Sequence, residues 1–282
     1  MHISHSNGIM YVSGIEFDPH LTLIDSAQVF HWKERDGIFS GTADGHAAQV
    51  LKTEDGFCIR GVEKEEVGFW TKYFDLERDY GEIQKSCEAY PNAQRAMQLL
   101  PGLRVLNQPA WETLLAFIIS ANNNVSRIRS IVERMIERFG TNGAFPSPEC
   151  LSEVKEEELR AIGCGYRAAY LKESARMVVE GFPLNELYKL PYEQAHGRLL
   201  ELSGVGDKVA DCVQLFGMGY SEAFPVDVWV ERLMKQWFEG NEGLSRKSMR
   251  NRAQEMFGKN AGIIQQSLFH CARLGLIELK KD

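Results

Sequence analysis

Two hydrophobic rhythms divide this chain. Over the first hundred residues, short runs of β-forming residues at 28–32, 38–42, 47–52 and 57–62 are separated by the pairs Asp36-Gly37, Asp44-Gly45 and Asp55-Gly56. Asp-Gly between strand-like runs is a strong hairpin signal, because such turns demand positive φ. The runs therefore predict an antiparallel meander, followed by helices at 64–74 and 82–100. From Pro109 the period becomes helical. Trp111, Leu114, Leu115, Ile118 and Ile119 share one face, as do Ile128, Ile131, Val132, Met135, Ile136 and Phe139. Such spacing predicts amphipathic helices packed on one another. Further helices are predicted at 153–162, 166–180, 191–202, 207–217, 227–238, 246–257 and 261–277, with Gly and Pro at the joins. The expected class is α+β: an N-terminal antiparallel sheet domain with flanking helices (1–104), then an all-helical domain (105–282).

Composition adds exclusions. Hydrophobic residues make up 44% and charged residues 25% of the 282 positions, as in ordinary globular proteins. No apolar run approaches the length of a membrane span, and the first residues form no export signal. The expected location is therefore cytoplasmic, and nucleoid-associated in a prokaryote. The six cysteines, at 58, 87, 150, 164, 212 and 271, are too widely spaced for a zinc finger or an iron–sulfur run. They read as reduced, buried small residues. The net charge of −7 argues against a nucleic-acid partner until its distribution is considered. All the excess acid lies in the first hundred residues, and the remainder is balanced, so one basic face remains available there.

Chemistry concentrates at 199–208, Leu-Leu-Glu-Leu-Ser-Gly-Val-Gly-Asp-Lys. One helix ends, a tight turn with Gly204 and Gly206 follows, and another helix begins near Asp207. Glycines let the backbone approach a ligand closely, and the free N–H groups of the new helix suit a phosphate. The same turn could simply cap a packed helical hairpin. Lys208 tips the balance: a helix N-terminus disfavours an ammonium and favours the free amine, the form a nucleophile needs.

Two other segments stand out. Phe224-Pro225-Val226-Asp227 follows 19 residues after the lysine, and Asp227 suits both a helix N-cap and a carboxylate held rigidly near an amine. Asn122-Asn123-Asn124 interrupts two apolar helices with turn-forming side chains that can also hydrogen-bond bases. Arg127 lies one turn beyond. Tyr166-Arg167 pairs an aromatic ring with a guanidinium at another helix start, either as packing or as a wedge for a base stack.

The set Leu-Ser-Gly-Val-Gly-Asp-Lys-Val-Ala-Asp-Cys with Pro-Val-Asp-Val resembles the helix-hairpin-helix DNA glycosylases that carry a Gly/Pro…Asp loop. Four further matches point to the 8-oxoguanine DNA glycosylase branch: Ala27-Gln28-Val29-Phe30-His31-Trp32, Ser120 through Ile128, Gly165-Tyr166-Arg167-Ala168 and Val209-Ala210-Asp211-Cys212. The resemblance spans about residues 20 to 275. It implies a sheet domain joined to a helical one with the lesion pocket between them, and one active site that excises oxidised guanine and nicks the abasic strand. It makes Lys208 the nucleophile and Asp227 the catalytic carboxylate. Asn122 would fill the space left by the flipped base, Arg127 and Arg167 would read the orphaned cytosine, and Tyr166 would wedge the stack. Cys212 and Phe269 would sandwich the base, with Gln265 or Gln266 on its Watson–Crick edge. Gly204 and Gly206 would approach the phosphates.

The resemblance further implies no cofactor for catalysis, and a structural monovalent or divalent cation on the carbonyls of Leu200, Leu202 and Val205. The expected partner is double-stranded DNA containing oxidised guanine, bound by a monomer away from any membrane. Two positions depart from the pattern. Animal and fungal members have glycine at Ala27, whose carbonyl senses the N7 hydrogen of the oxidised base, and histidine at Trp229, a phosphate neighbour. Two rivals are weighed beside this reading: a related glycosylase for alkylated bases, which lacks the hairpin lysine, and a non-enzymatic helix-hairpin-helix module that only grips DNA.

Overall fold

The computed structural model describes residues 1–278; the last four positions of the expected helical domain lie outside the described residues. Six strands form one antiparallel sheet in the order β1-β2-β6-β5-β4-β3: β1 (His2–Ser6), β2 (Ile9–Ser13), β3 (Lys33–Arg35), β4 (Ile38–Ala43), β5 (His46–Thr53) and β6 (Gly56–Arg60). The β3–β4 and β4–β5 turns are Asp36-Gly37 and Asp44-Gly45, each with two positive φ values. The β5–β6 turn differs from the reading, because Thr53 pairs with Gly56 and the turn residues are Glu54 and Asp55. The β1–β2 hairpin went unpredicted, although its turn, Asn7-Gly8, carries the same chemistry with φ of 51° and 71°.

The run 28–32 is not a strand. Gln28 Nε2 donates to the carbonyls of Thr22 and Arg104, and Gln108 Nε2 donates to the Gln28 carbonyl, so side chains replace a ladder here. The alternation that suggested a strand has another cause. Val29 and Trp32 pack into the core beneath the sheet, while Phe30 packs into the helical core. The segment is a crossing between the two cores, entered from a π-helical turn at His20–Asp25.

The helices are α1 (Val67–Tyr73), α2 (Tyr80–Ser86), α3 (Pro91–Gln98), α4 (Ala110–Ser120), α5 (Val125–Phe139), α6 (Pro148–Glu153), α7 (Glu156–Ala161), α8 (Arg167–Val179), α9 (Tyr192–Leu199), α10 (Asp207–Gly217), α11 (Val228–Trp237), α12 (Arg246–Phe257) and α13 (Ala261–Arg273). The single helix expected at 82–100 is two, because Pro91 occupies the first position of α3, where a missing N–H costs least. Helix α3 packs on α13, and Ile83 through Val105 contribute to the helical core. Helix α4 is apolar nearly all round, with eight buried residues. It runs through the centre of the helical body against α10, and so fixes the start of α10 relative to the sheet domain.

Candidate active site

Helices α9 and α10 form a hairpin around Ser203-Gly204-Val205-Gly206. Gly204 has φ of +78°, and a Cβ there would come within 2.7 Å of the Tyr170 side chain on α8. Conformation and space both demand glycine, which lets the turn sit tightly on α8. Gly206 is the N-cap of α10, and the space beside its Cα is open.

Lys208 projects from the first turn of α10. Its Nζ donates to Ser120 Oγ, at the end of α4, over 3.1 Å and lies 4.9 Å from the centre of the Phe117 ring. Phe117 stacks on Phe216 and meets Phe30 edge-on, giving the amine an aromatic floor. Asp227 caps α11, accepting from the Val230 N–H over 2.8 Å. Cys212, one turn after Lys208, is buried. Burial pushes its thiol up to about 12; the charge and hydrogen bond of Lys208 pull it down, while Asp211 and Asp227 push it up further. It therefore stays a neutral thiol at physiological pH.

These groups open on a cleft of about 810 Å³. Ala27, Asn122, Gly204, Gly206, Lys208, Asp227, Trp229 and Phe269 all line it. Ala27 and Phe30 come from the crossing segment, so the cleft lies where the two cores meet. Trp229 is 45% exposed at the start of α11. Cys212, Gln265 and Gln266 sit behind the wall instead: all three are buried, Gln265 Nε2 donates to the Pro225 carbonyl, and Gln266 Nε2 donates to the Ser26 carbonyl. Gln265 Oε1 is buried and has no partner among the described residues.

The asparagine turn and the Tyr166-Arg167 pair come together. Asn122 adopts φ of +48°, and its Nδ2 lies 3.4 Å from the Tyr166 hydroxyl. Tyr166 is 48% exposed beside Tyr170, as a wedge must be. Arg167 is buried beneath Tyr166. Its guanidinium donates to the carbonyls of Ala121, Asn122 and Cys164, so in this state it braces the asparagine turn. Arg127 is exposed one turn into α5, which Asn124 caps.

The sequence reading missed the basic rim and the floor. Arg246, Lys247, Arg250 and Arg273 line the same cleft. Arg250 anchors a buried network beneath the hairpin, 2.9 Å from His196 Nε2 and 3.6 Å from Asp211, which also accepts from the Tyr192 hydroxyl over 2.7 Å. Burial lowers the affinity of His196 for protons, but the hydrogen bond and charge of Asp211 and the hydrogen bond of Asp207 outweigh it and leave His196 above its ordinary value. No local motif marks α12 as basic toward the cleft; only the packing of α12 on α13 and α11 turns it there.

The described residues contain no group of three or more His, Cys, Asp or Glu side chains placed to hold a metal ion. Main-chain oxygens are another matter. The carbonyls of Leu200 and Val205 have no donor among the described residues, while that of Leu202 accepts from the Val205 N–H over 3.2 Å.

Residues 115–259 match the family model of the HhH-GPD superfamily base excision DNA repair proteins, and residues 9–114 match that of the 8-oxoguanine DNA glycosylase N-terminal domain. A probable N-glycosylase/DNA lyase from Methanothermobacter thermautotrophicus is 34% identical over 73% of this chain and 74% of its own length. The Clostridium acetobutylicum 8-oxoguanine glycosylase/lyase, solved with double-stranded DNA containing cytosine opposite 8-oxoguanine, is 33% identical with a TM-score of 0.90, covering 98% of this chain and 99% of that one. A 3-methyladenine DNA glycosylase from Archaeoglobus fulgidus, 19% identical over 94% of this chain and 98% of its own, shares the fold with a TM-score of 0.77.

Proposed function

This chain belongs to the 8-oxoguanine DNA glycosylase branch of the HhH-GPD base excision repair superfamily, and from that membership and its cleft we infer how it works. It is a bifunctional DNA glycosylase and abasic-site lyase acting on 8-oxoguanine. The observation that carries the mechanism is a single cleft holding a lysine on a hairpin helix and an aspartate on the next helix start. A helix-hairpin-helix that only gripped DNA would need neither. A glycosylase for alkylated bases would not need the lysine, and the similarity in that direction is more distant.

A base inside a duplex is out of reach, so it is flipped into the cleft at a cost of a few kcal/mol. Tyr166 and Asn122 stand at the cleft edge, where they would wedge the stack and fill the gap. Phe269 offers the base a ring face, and the unpartnered Oε1 of Gln265 its polar edge. Breaking the C1′–N9 bond builds positive charge on the sugar, which Asp227 stabilises. Lys208 Nζ, as the free amine, bonds to C1′. The base leaves with the bond electrons and takes at N9 the proton that the attacking nitrogen sheds. Ring opening then gives a Schiff base. Loss of a C2′ proton expels the 3′ phosphate and cuts the strand.

The rim of Arg246 and Lys247 supplies the sequence-independent grip on phosphates, so binding weakens steeply with salt. The unpartnered carbonyls of Leu200 and Val205, with that of Leu202, form an all-oxygen set suited to a hard cation; a bound ion would add positive charge at the hairpin. Cytosine is the opposite base this reading favours, with Arg127 and Arg167 as its readers. This reading takes the protein to act as a monomer on chromosomal DNA. The test is borohydride trapping on a duplex carrying 8-oxoguanine. Wild type forms a covalent adduct, and Lys208→Gln binds the duplex but forms none; an adduct persisting in that variant would overturn the assignment.

A further inference from the structure

The chain from Thr22 to Gln28 is held one carbonyl at a time. The Thr22 carbonyl accepts from Ser26 Oγ over 2.6 Å and from Gln28 Nε2 over 3.2 Å. The Ile24 carbonyl accepts from Arg129 on α5, and the Asp25 carbonyl from Arg273 on α13. The Ser26 carbonyl accepts from Gln266, also on α13, over 2.7 Å, and the Gln28 carbonyl from Gln108 over 2.8 Å. Between the last two lies Ala27, and no donor among the described residues reaches its carbonyl.

Ala27 is also where the backbone is least comfortable, with φ of +56°. A residue with a Cβ enters that region only when its surroundings enforce it. The enforcement is visible: the carbonyls of Ser26 and Gln28, before and after it, are pinned, and the only pin on a peptide group of Ala27 itself among the described residues is Gln266, on the Ser26–Ala27 peptide. The result is an acceptor without a partner at the wall of a cleft that takes a flipped purine. Guanine presents N7 as an acceptor, and two facing acceptors repel. A purine oxidised at C8 carries a hydrogen on N7 and can donate.

We propose that Gln266 is a positioning residue for lesion specificity: held in the helical domain, it fixes the Ser26–Ala27 peptide and thereby aims the Ala27 carbonyl at N7 of the base. Gln266 therefore does not read the Watson–Crick edge, a role that falls to Gln265. The two adjacent glutamines divide the work because successive helix positions point about 100° apart. Gln265 turns toward Pro225 at the Asp227 side of the cleft, and Gln266 turns toward the sheet domain. This proposal rests on the 8-oxoguanine reading above.

The experiment is single-turnover excision of 8-oxoguanine and of guanine, each opposite cytosine, together with cleavage of a preformed abasic site. Wild-type protein is compared with Gln266→Met, which keeps the volume and removes the donor. The ratio of the two excision rates should fall about tenfold in Gln266→Met, with abasic-site cleavage within about twofold of wild type, since Lys208 is untouched. Adding Ala27→Gly to Gln266→Met should recover most of the ratio, because glycine holds positive φ without a pin. If Gln266→Met does not fold, Gln266→Asn, which withdraws the amide by one methylene, is read the same way. An unchanged ratio in a folded variant, or a parallel loss of abasic-site cleavage, overturns the role of Gln266. Failure of wild type to excise 8-oxoguanine would instead overturn the functional reading itself.

Discussion

Lys208 Nζ and the Ser120 hydroxyl meet across 3.1 Å, joining the first turn of α10 to the last residue of α4. The two residues are 88 positions apart, and α4 is the buried spine of the helical body. The amine is therefore aimed by the core rather than by its own flexible stem. The Phe117 ring beneath it belongs to the same helix.

Ser120→Ala removes that guide while leaving the amine, the aromatic floor and the fold. A hydrogen bond of this kind contributes about 1 kcal/mol. Single-turnover excision should fall about fivefold, and the borohydride adduct should still form. A rate unchanged from wild type would show that Ser120 does not orient the nucleophile.

Asp227→Asn separates capping from catalysis. Asparagine caps as well as aspartate, so the bond to the Val230 N–H survives and thermal melting should move little. Excision should fall on the order of 10²-fold or more if the carboxylate stabilises charge on the sugar. Wild-type excision by this variant would reduce Asp227 to a cap.

A pH dependence of stability follows from Glu112, which lies away from the cleft in α4. Burial raises its carboxyl to about 8, against the hydrogen bond from the Asp44 N–H and together with the charge of Asp44. The folded state therefore keeps a proton that the unfolded chain has released. Stability from this group is complete below the ordinary glutamate range and is lost as pH rises toward 8. Glu112→Gln keeps the acceptor for Asp44 and cannot ionise. Its melting temperature should exceed that of wild type at pH 8, and the gap should shrink toward pH 5. A gap independent of pH would contradict a neutral Glu112 in the fold.

Helical spacing and turn chemistry made much of this molecule readable. The helix expected at 246–257 is α12 to the residue, and 207–217 is α10, because caps and glycines mark their ends locally. The run 28–32 misled because alternation records which side chains are buried, and not whether the backbone pairs. Here Val29 and Phe30 bury into different cores. In the site, Lys208 and Asp227 were legible since each sits at a helix start with its own sequence signature. Arg246, Lys247 and the Phe117 floor were not, because tertiary packing alone brings them to the cleft. The resemblance makes Arg167 a reader of the orphaned cytosine, and nothing local announces the carbonyls it braces.

Ala27 supplies the sharpest test of how a substitution for glycine is tolerated. The methyl does not push the backbone out of the left-handed region, as φ stays at +56°. The strain, about 1–2 kcal/mol for a residue with a Cβ, is held by the bonds from Gln266 and Gln108 to the flanking carbonyls. Ala27→Gly relieves that strain but adds freedom to the unfolded chain, which costs about 0.4–1 kcal/mol. The two terms oppose each other, so the variant should melt within a few degrees of wild type. Its carbonyl keeps the same pins on either side, and so the same direction. The ratio of 8-oxoguanine to guanine excision opposite cytosine should therefore be large in wild type and change less than about threefold in Ala27→Gly. A wild-type ratio near one, raised to a large value by glycine, would show that the methyl disturbs recognition and that the shared backbone path does not preserve it.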